Sequence, residues 1–315
     1  MRILVLGAGA TGGYFGGRLA QAGVDVTFLV RPGRAQRLAS DGLVIRSPVG
    51  DWRGAVQALT ADRLGAPFDV VILSCKAYDL DDAILSIKPA VGPSTAVLPL
   101  LNGLRHFGAL DSAFGAGRVI GGLCHIGATL GPAGEIVHLN ANEKLTFGER
   151  GGGRSARCDA IAAAFGRARF TSVCSEAVEQ DLWEKFSFLA SLAAMTCLMR
   201  GKVGEIVEAA DGSALMLEAM EECVKVAAAA GHKPRPPAME FARKALTEKG
   251  SGFASSMMRD LEAGGRTEGS HILGDMLDRA RAAGIGAPIL RMANCLLETH
   301  ELKRAARAAA SAPQR

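Results

Sequence analysis

The chain has no cysteines at Cys-x-x-Cys spacing, no block of like charge and no apolar run of membrane-spanning length. Its seven cysteines, at 75, 124, 158, 174, 197, 223 and 295, are odd in number and scattered. That pattern argues against a disulfide framework or a zinc site and points to a reducing compartment. The 36 basic and 32 acidic residues leave a formal charge of +4, spread along the chain. No nucleic-acid stripe is expected, although a mild basic excess suits an anionic ligand. The apolar stretch Phe186–Met199 is shorter than the roughly 18–20 residues a span needs, and serines and a threonine interrupt it. A buried helix, with no membrane partner, is the reading. The start, Met1-Arg2-Ile3-Leu4-Val5-Leu6, enters a strand directly, without the charged, apolar and cleavage regions of a secretory leader. A cytoplasmic location is therefore expected.

What is present suits a globular enzyme of about two domains at about 100–200 residues each. The 315 residues are 49% hydrophobic and 22% charged, enough for a sizeable core and against global disorder. With 39 glycines against 12 prolines, the glycines read as tight turns and close packing rather than a linker.

The first half alternates β-branched runs with helical spacing, the signature of a parallel βαβ sheet. Strands are expected at Ile3–Leu6, Val24–Val30, Val70–Cys75 and Ala96–Leu98, with helices over Thr11–Ala22, Gly33–Ser40 and Leu80–Ile87. Leu43–Arg46, with Trp52 and Val56, reads as an antiparallel excursion. Further strands are expected at Val119–Cys124, Glu135–Leu139, Lys144–Phe147 and Phe170–Val173, the last after a helix over Arg157–Phe165. From Ser175 the pattern turns helical: a long stretch through Leu198, then Gly212–Ala230, Pro237–Lys249, Phe253–Glu262, Thr267–Ala283 and Pro288–Ala309. The tail Ala308–Arg315 reads as frayed. The expected fold is α/β: a Rossmann-like dinucleotide-binding domain over 1–174, then an all-helical substrate and catalytic domain over 175–315.

Gly7-Ala8-Gly9-Ala10-Thr11-Gly12 fits G-x-G-x-x-G directly after a hydrophobic strand and at the mouth of a helix. Gly7 makes the tight turn, Gly9 lets backbone approach a pyrophosphate, and Gly12 permits close helix–strand packing. The helix N-terminus adds unpaired N–H groups and a positive dipole end. At the end of the second strand, where an NAD enzyme usually carries Asp or Glu, stand Arg31 and, three residues on, Arg34. A guanidinium there can pair with a 2′-phosphate. NADP, used as NADPH, is the expected cofactor; a solvated loop arginine is the plainer alternative. Lys76 and Asn102 follow the third and fourth strands, where open α/β sheets bind ligands. Lys76 can reach a phosphate or ribose and Asn102 the nicotinamide ribose or substrate; a surface lysine and an Asn-Gly turn are their alternatives. The six histidines show no metal-ligand spacing, so no metal is expected.

Taken together, the glycine loop, Arg31, Ser74-Cys75-Lys76-Ala77-Tyr78, Leu101-Asn102-Gly103 and Leu182-Trp183-Glu184-Lys185 resemble the ketopantoate reductase (2-dehydropantoate 2-reductase) family. Ser255-Ser256-Met257-Met258-Arg259-Asp260, Arg266-Thr267-Glu268 and Arg279 through Pro288 match it in order and spacing, so the resemblance covers roughly residues 1 to 300. It implies NADPH-dependent reduction of a 2-oxo acid to a 2-hydroxy acid, a step of pantothenate biosynthesis in that family, with cofactor on the glycine loop and substrate between the domains. By the same resemblance Lys185 is the catalytic lysine, Glu268 the glutamate near cofactor and substrate, and Ser256, with Ser255 beside it, the substrate-side serine. Asn102 also faces substrate, and Gly127 supplies a backbone contact to the cofactor.

The chemistry supports these roles on its own terms. Hydride arriving at a carbonyl carbon builds charge on oxygen, which needs a donor or cation. A lysine on a mostly apolar helix has its charge disfavoured and can give up a proton. A helix-face lysine paired with an acid is the alternative for Lys185, and a first-turn acid after Thr267 the alternative for Glu268. Where the family carries substrate-side asparagines, this chain has Leu189, Ala193, Val203 and Phe253. With Met195 they make a drier pocket, so ketopantoate is not the expected substrate although the reductase chemistry stands. Two other functions stay open: another NADP-linked hydroxy-acid dehydrogenase or imine reductase, and a non-catalytic NADPH sensor. The apolar Phe186–Met199 helix and the alanine-rich C-terminal helices incline the reading toward a homodimer.

Overall fold

The computed structural model describes residues 1–310. The chain divides into two compact units, 1–102 with 106–179, and 103–105 with 180–315.

In the first unit, runs of Ile, Leu and Val buried on both faces form a parallel sheet. Its strands are β1 (Arg2–Leu6), β2 (Asp25–Leu29), β5 (Gln57–Leu59), β6 (Val70–Leu73) and β7 (Ala96–Pro99), in the order β5-β2-β1-β6-β7. All four pairings are parallel. Helices α1 (Ala10–Gln21), α2 (Pro32–Asp41) and α3 (Leu80–Ile87) connect them. Strand order reverses at β1, whose neighbours are β2 and β6, so the carboxyl ends of β1 and β6 flank the crevice where such sheets take ligands.

A second sheet holds β3 (Leu43–Arg46), β4 (Trp52–Gly54), β8 (Gly121–Leu130), β9 (Ile136–Gly148) and β10 (Thr171–Cys174). β3 and β4 are the antiparallel excursion, but Val56 lies outside both, and the chain returns as β5 beside β2. Helix α1 lies against both sheets because one of its faces is glycine. A Cβ at Gly16 would come within 2.8 Å of Phe28 on β2, and one at Gly17 within 2.7 Å of Leu43 on β3. Tyr14, Phe15 and Leu19 fill the core between them with Ile3, Phe28, Ile45, Phe147 and Phe165.

Several expected boundaries shift. Glu135–Leu139 and Lys144–Phe147 are one strand, β9, whose middle residues Leu139 to Asn142 bulge opposite the single residue Gly127 of β8. Helix α4 (His106–Phe114) was not expected, and α5 (Ala156–Phe165) was.

The second unit is helical: α6 (Val178–Met199), α7 (Val203–Val207), α8 (Gly212–Ala229), α9 (Pro236–Thr247), α10 (Ser256–Glu262), α11 (Asp275–Ala282) and α12 (Pro288–Ala310). From residue 175 on, no strand occurs among the described residues. Leu192, Met195, Val203, Met216, Met220 and Leu246 form its core. Among the described residues α6 alone is long and apolar enough to cross a membrane, which the shorter Phe186–Met199 stretch was not, and 67% of its apolar window is buried in the protein. The buried Glu222 on α8 caps α12, accepting from the N–H groups of Ile289 and Leu290 at 3.0 Å each.

Three helical expectations are corrected. The helix expected over Phe253–Glu262 starts at Ser256, because Ser255 takes the N-cap position and its Oγ accepts from Met258 N at 3.0 Å. Phe253 stays in the preceding loop. The helix expected over Thr267–Ala283 begins as a π-turn over Ser270–Gly274 before α11. Residues 308–310, expected to fray, continue α12, and 311–315 lie outside the described residues. No disulfide joins any of the seven cysteines; burial pushes the thiols of Cys158 and Cys197 up, to about 11 and about 12.

Candidate functional site

The nucleotide end is built from backbone. Gly7 adopts φ 89°, a conformation L-residues rarely take, and its N–H donates to Leu29 O at 2.9 Å. Gly9 caps α1 in extended conformation, and a Cβ there would meet nothing within 4 Å. The space above Gly9 is therefore open for a ligand. Gly12 is closed instead: a Cβ would lie 2.0 Å from Ser74 Oγ and 2.6 Å from Gly7 O. Ser74, at the end of β6, donates to Leu6 O at 3.0 Å and so joins the ends of β1 and β6. The first turn of α1 carries no acidic residue, leaving its positive end uncompensated.

Arg31 is the exposed N-cap of α2, followed by Pro32. Arg34 does more than the sequence suggested. Its Nη2 donates to Ala8 O at 2.9 Å, so the guanidinium lies on the glycine loop itself. Burial, and then the neighbouring Arg37, push its pKa below the usual arginine range. The same side chain lines a cavity of about 330 Å³ with Arg37, Arg46, Arg53, Asp41 and Glu135. A desolvated arginine beside another suits a dianionic phosphate, which would relieve both costs. An open glycine turn, a bare helix N-terminus and this basic cavity fit a dinucleotide.

Lys76 and Asn102 lie beyond β6 and β7, which are neighbours in the sheet; both are half-buried. Gly127 falls where the β8–β9 register slips, between Ile126 paired with Glu143 and Ala128 paired with His138. It is left out of the ladder, and a Cβ there would meet Asn140 Nδ2 at 2.7 Å. Bulges of this kind re-aim backbone groups beside sites; nothing in the sequence signalled it.

In the helical unit, Lys185 is half-buried on α6 between the buried Leu182, Trp183 and Phe186. Its neighbour Glu184 accepts from Arg235 Nε at 2.7 Å and Arg235 N at 2.8 Å. Burial would raise the Glu184 carboxyl, but the Arg235 contacts outweigh it and hold the pKa low. Arg235 also pairs with Asp181, so a charged cluster pins this turn of α6. Trp183 is fixed by Arg279, 5.0 Å over its ring, and by the stacked His232.

The helical repeat puts Leu189, Leu192 and Thr196 on the Lys185 side of α6. Thr196 Oγ1 and Ser255 Oγ are 2.8 Å apart. Ser255 is 2% exposed and occupied by this contact and its cap, whereas Ser256, the first residue of α10, is half-open. Ala193 and Val203 are 1% and 0% exposed, so they belong to the core rather than to an open wall; Leu189 is half-buried and Phe253 is exposed. Glu268 is buried, and its carbonyl accepts from His271 N at 3.1 Å and Ile272 N at 3.0 Å at the head of the π-turn. Thr267 beside it is anchored by Glu301 Oε1, which accepts from its N–H at 2.7 Å. π-turns inside helices frequently mark functional positions, and this one was not visible in the apolar pattern. Among the described residues no group of three or more His, Cys, Asp or Glu is placed to hold a metal.

The open glycine turn on a parallel sheet fits a dinucleotide, and the likenesses that follow make the protein a nicotinamide-dependent oxidoreductase acting on a CH–OH group. Residues 3–152 match the family described as Ketopantoate reductase PanE/ApbA, and residues 177–301 match Ketopantoate reductase PanE/ApbA C terminal. The chain belongs to the ketopantoate reductase family. It is 36% identical over 304 residues to "Uncharacterized oxidoreductase YkpB" of Bacillus subtilis (strain 168), covering 96% of this chain and 100% of that one. It is 30% identical over 293 residues to a 2-dehydropantoate 2-reductase of Halobacterium salinarum, covering 92% and 96%. Among solved structures, a 2-dehydropantoate 2-reductase from Geobacter metallireducens GS-15 superposes with a TM-score of 0.87 at 29% identity, over 95% of this chain and 99% of that one.

Proposed function

We propose that the protein reduces a 2-oxo acid to the corresponding 2-hydroxy acid with NADPH, and that Lys185 donates the proton to the carbonyl oxygen. The bound dinucleotide supplies a hydride to the carbonyl carbon. Gly7, Gly9 and the α1 N-terminus hold its pyrophosphate, and Arg31 and Arg34 its 2′-phosphate; Lys76, Asn102 and Gly127 contact the ribose and nicotinamide side. Lys185 stabilises the charge growing on the oxygen and then gives up its proton. Glu268 holds the lysine or a ribose hydroxyl, and Ser256 contacts the substrate.

The observation that carries this reading is the environment of Lys185. It is half-buried on α6 between the buried Leu182, Trp183 and Phe186, on a turn that Arg235 pins through Glu184 and Asp181. A lysine held on an ordered, largely apolar turn can present its ammonium to a carbonyl oxygen, stabilise the charge growing there and give up a proton. The test is Lys185→Ala, assayed for NADPH oxidation with 2-oxo acids and for NADPH binding. Loss of turnover by about 10²–10⁴-fold with binding retained is expected; unchanged turnover removes the lysine from the mechanism. A cytoplasmic location and a homodimer belong to the same proposal, and light scattering reads the second.

A further inference from the structure

Phe188 and Phe253 link the two segments of the helical unit that carry Lys185 and Ser256. Phe188 lies one turn after Lys185 on α6, and side chains on a helix lean toward its N-terminus, which is the direction of the lysine's turn. Its ring stacks on Phe253 at 6.1 Å and 11°, and meets Phe241 edge-on at 5.4 Å. Phe253 stands three residues before Ser256 and two before the Ser255 cap. Stacking would ordinarily withdraw such rings from water, yet Phe253 remains 41% exposed and Phe241 57% exposed.

The exposure of Phe253 does not come from a loose loop. Val203 N donates to Phe253 O at 2.9 Å and Gly204 N to Ser251 O at 2.9 Å. Gly204 is packed so closely on this loop that a Cβ would lie 2.5 Å from Ser251 N. On the other side Ser255 is held by Thr196 and by Met258 N. An apolar ring is thus presented to solvent on backbone fixed at both ends, stacked on Phe188, which lies one turn from Lys185 in α6. Ordering of this kind is what a binding surface needs, since little entropy remains to be lost when a ligand arrives. The side-chain chemistry offered there is aromatic and aliphatic: Phe188, Phe253 and, beside them on α6, Leu189. None of the three offers a hydrogen bond.

We propose that the substrate's side chain is apolar and flat or branched, and packs on Phe188 and Phe253. This rests on the 2-oxo acid reductase reading above. A surface without a polar partner cannot repay the desolvation of a substrate hydroxyl, so acids such as phenylpyruvate or 4-methyl-2-oxopentanoate are favoured over the hydroxylated ketopantoate.

The experiment measures kcat/KM for NADPH oxidation with phenylpyruvate, 4-methyl-2-oxopentanoate and ketopantoate, using the wild type, Phe253→Ala and Phe253→Asn. It also measures binding of phenyllactate and pantoate to the NADP⁺-loaded protein. An apolar acid should exceed ketopantoate by about 100-fold or more in the wild type. Phe253→Ala should reduce that ratio at least about tenfold, and Phe253→Asn should reduce it further by improving ketopantoate. Turnover that favours ketopantoate, or a ratio unmoved by both substitutions, overturns the proposal and leaves the reductase standing. A ratio unmoved in Phe253→Ala with loss of an oligomer does the same and assigns the rings to a subunit interface. Phe253-dependent binding of phenyllactate without any turnover supports the surface and overturns the reductase. If Phe253→Ala lowers the melting temperature, Phe253→Leu, which keeps an apolar side chain, must preserve the preference for 4-methyl-2-oxopentanoate; its loss there also overturns the proposal.

Discussion

The two units meet small molecules by different physical means. The N-terminal unit offers mostly main chain: a glycine turn at φ 89°, an N-cap with open space above it and a helix end free of acidic residues, with the Arg34 side chain laid on that turn. In the function proposed above the helical unit contributes side chains, Lys185, Ser256 and Glu268, which lie far apart in sequence and stand on three different segments. A main-chain cradle reads phosphate, a group shared by many ligands, so it tolerates few changes and says little about substrate. A side-chain surface changes one residue at a time, and here Leu189 and Phe253 offer aliphatic and aromatic surface rather than hydrogen bonds. The difference separates what is common to the family's chemistry from what is particular to this protein.

Substitutions in the glycine turn should give the largest contrast after loss of Lys185. Gly9→Ala should leave the melting temperature unchanged, since nothing lies within 4 Å of its Cβ, while weakening NADPH binding by more than about tenfold. Gly12→Ala should lower stability by about 1–3 kcal/mol, because its methyl overlaps Ser74 and Gly7. Paired thermal melts and NADPH titrations separate the two; equal behaviour would mean that the turn serves packing alone.

A smaller effect is expected at Arg34. Removing its guanidinium should reduce the preference for NADPH over NADH by about ten- to a hundredfold, the value of one or two charged hydrogen bonds. Arg31→Ala in the same titrations shows how the two arginines share the phosphate. An unchanged preference in both variants would move cofactor choice away from this cavity.

The smallest contrast lies between adjacent serines in the helical unit. Ser255→Ala removes a helix cap and the Thr196 contact, and should cost about 1–2 kcal/mol of stability with little change in KM at the melting-corrected temperature. Ser256→Ala should raise KM and leave the melting curve in place. Reversal of that pattern would exchange the structural and substrate-side roles.

The sequence made the nucleotide end legible because its information is contiguous: strand, six-residue turn and helix follow one another, and each local preference agrees with the next. Sheet membership followed from the same β-branched runs. What escaped depended on distant partners. Phe253 reads as helical by composition, but its carbonyl is claimed by Val203 N and the helix waits for the Ser255 cap. The strands expected at Glu135–Leu139 and Lys144–Phe147 are joined through Asn140 and Asn142, which ride within β9 in the bulge opposite Gly127. Helix α4 buries His106, Phe107, Leu110 and Phe114, but Gly108 in its first turn obscures that spacing. The π-turn before α11 widens one turn without altering the apolar pattern. Arg34 was noted beside Arg31, and only the fold lays it across the glycine loop.

The central claim is hydride transfer from the dinucleotide to a 2-oxo acid with a proton from Lys185. The most direct measurement uses NADPH dideuterated at C4 of the nicotinamide, an apolar 2-oxo acid and mass analysis of the acid product. The account predicts one deuterium at C2 of a 2-hydroxy acid, formed by the wild type and not by Lys185→Ala. Labelled NADPH that binds and remains intact, with the oxo acid unchanged, would contradict it.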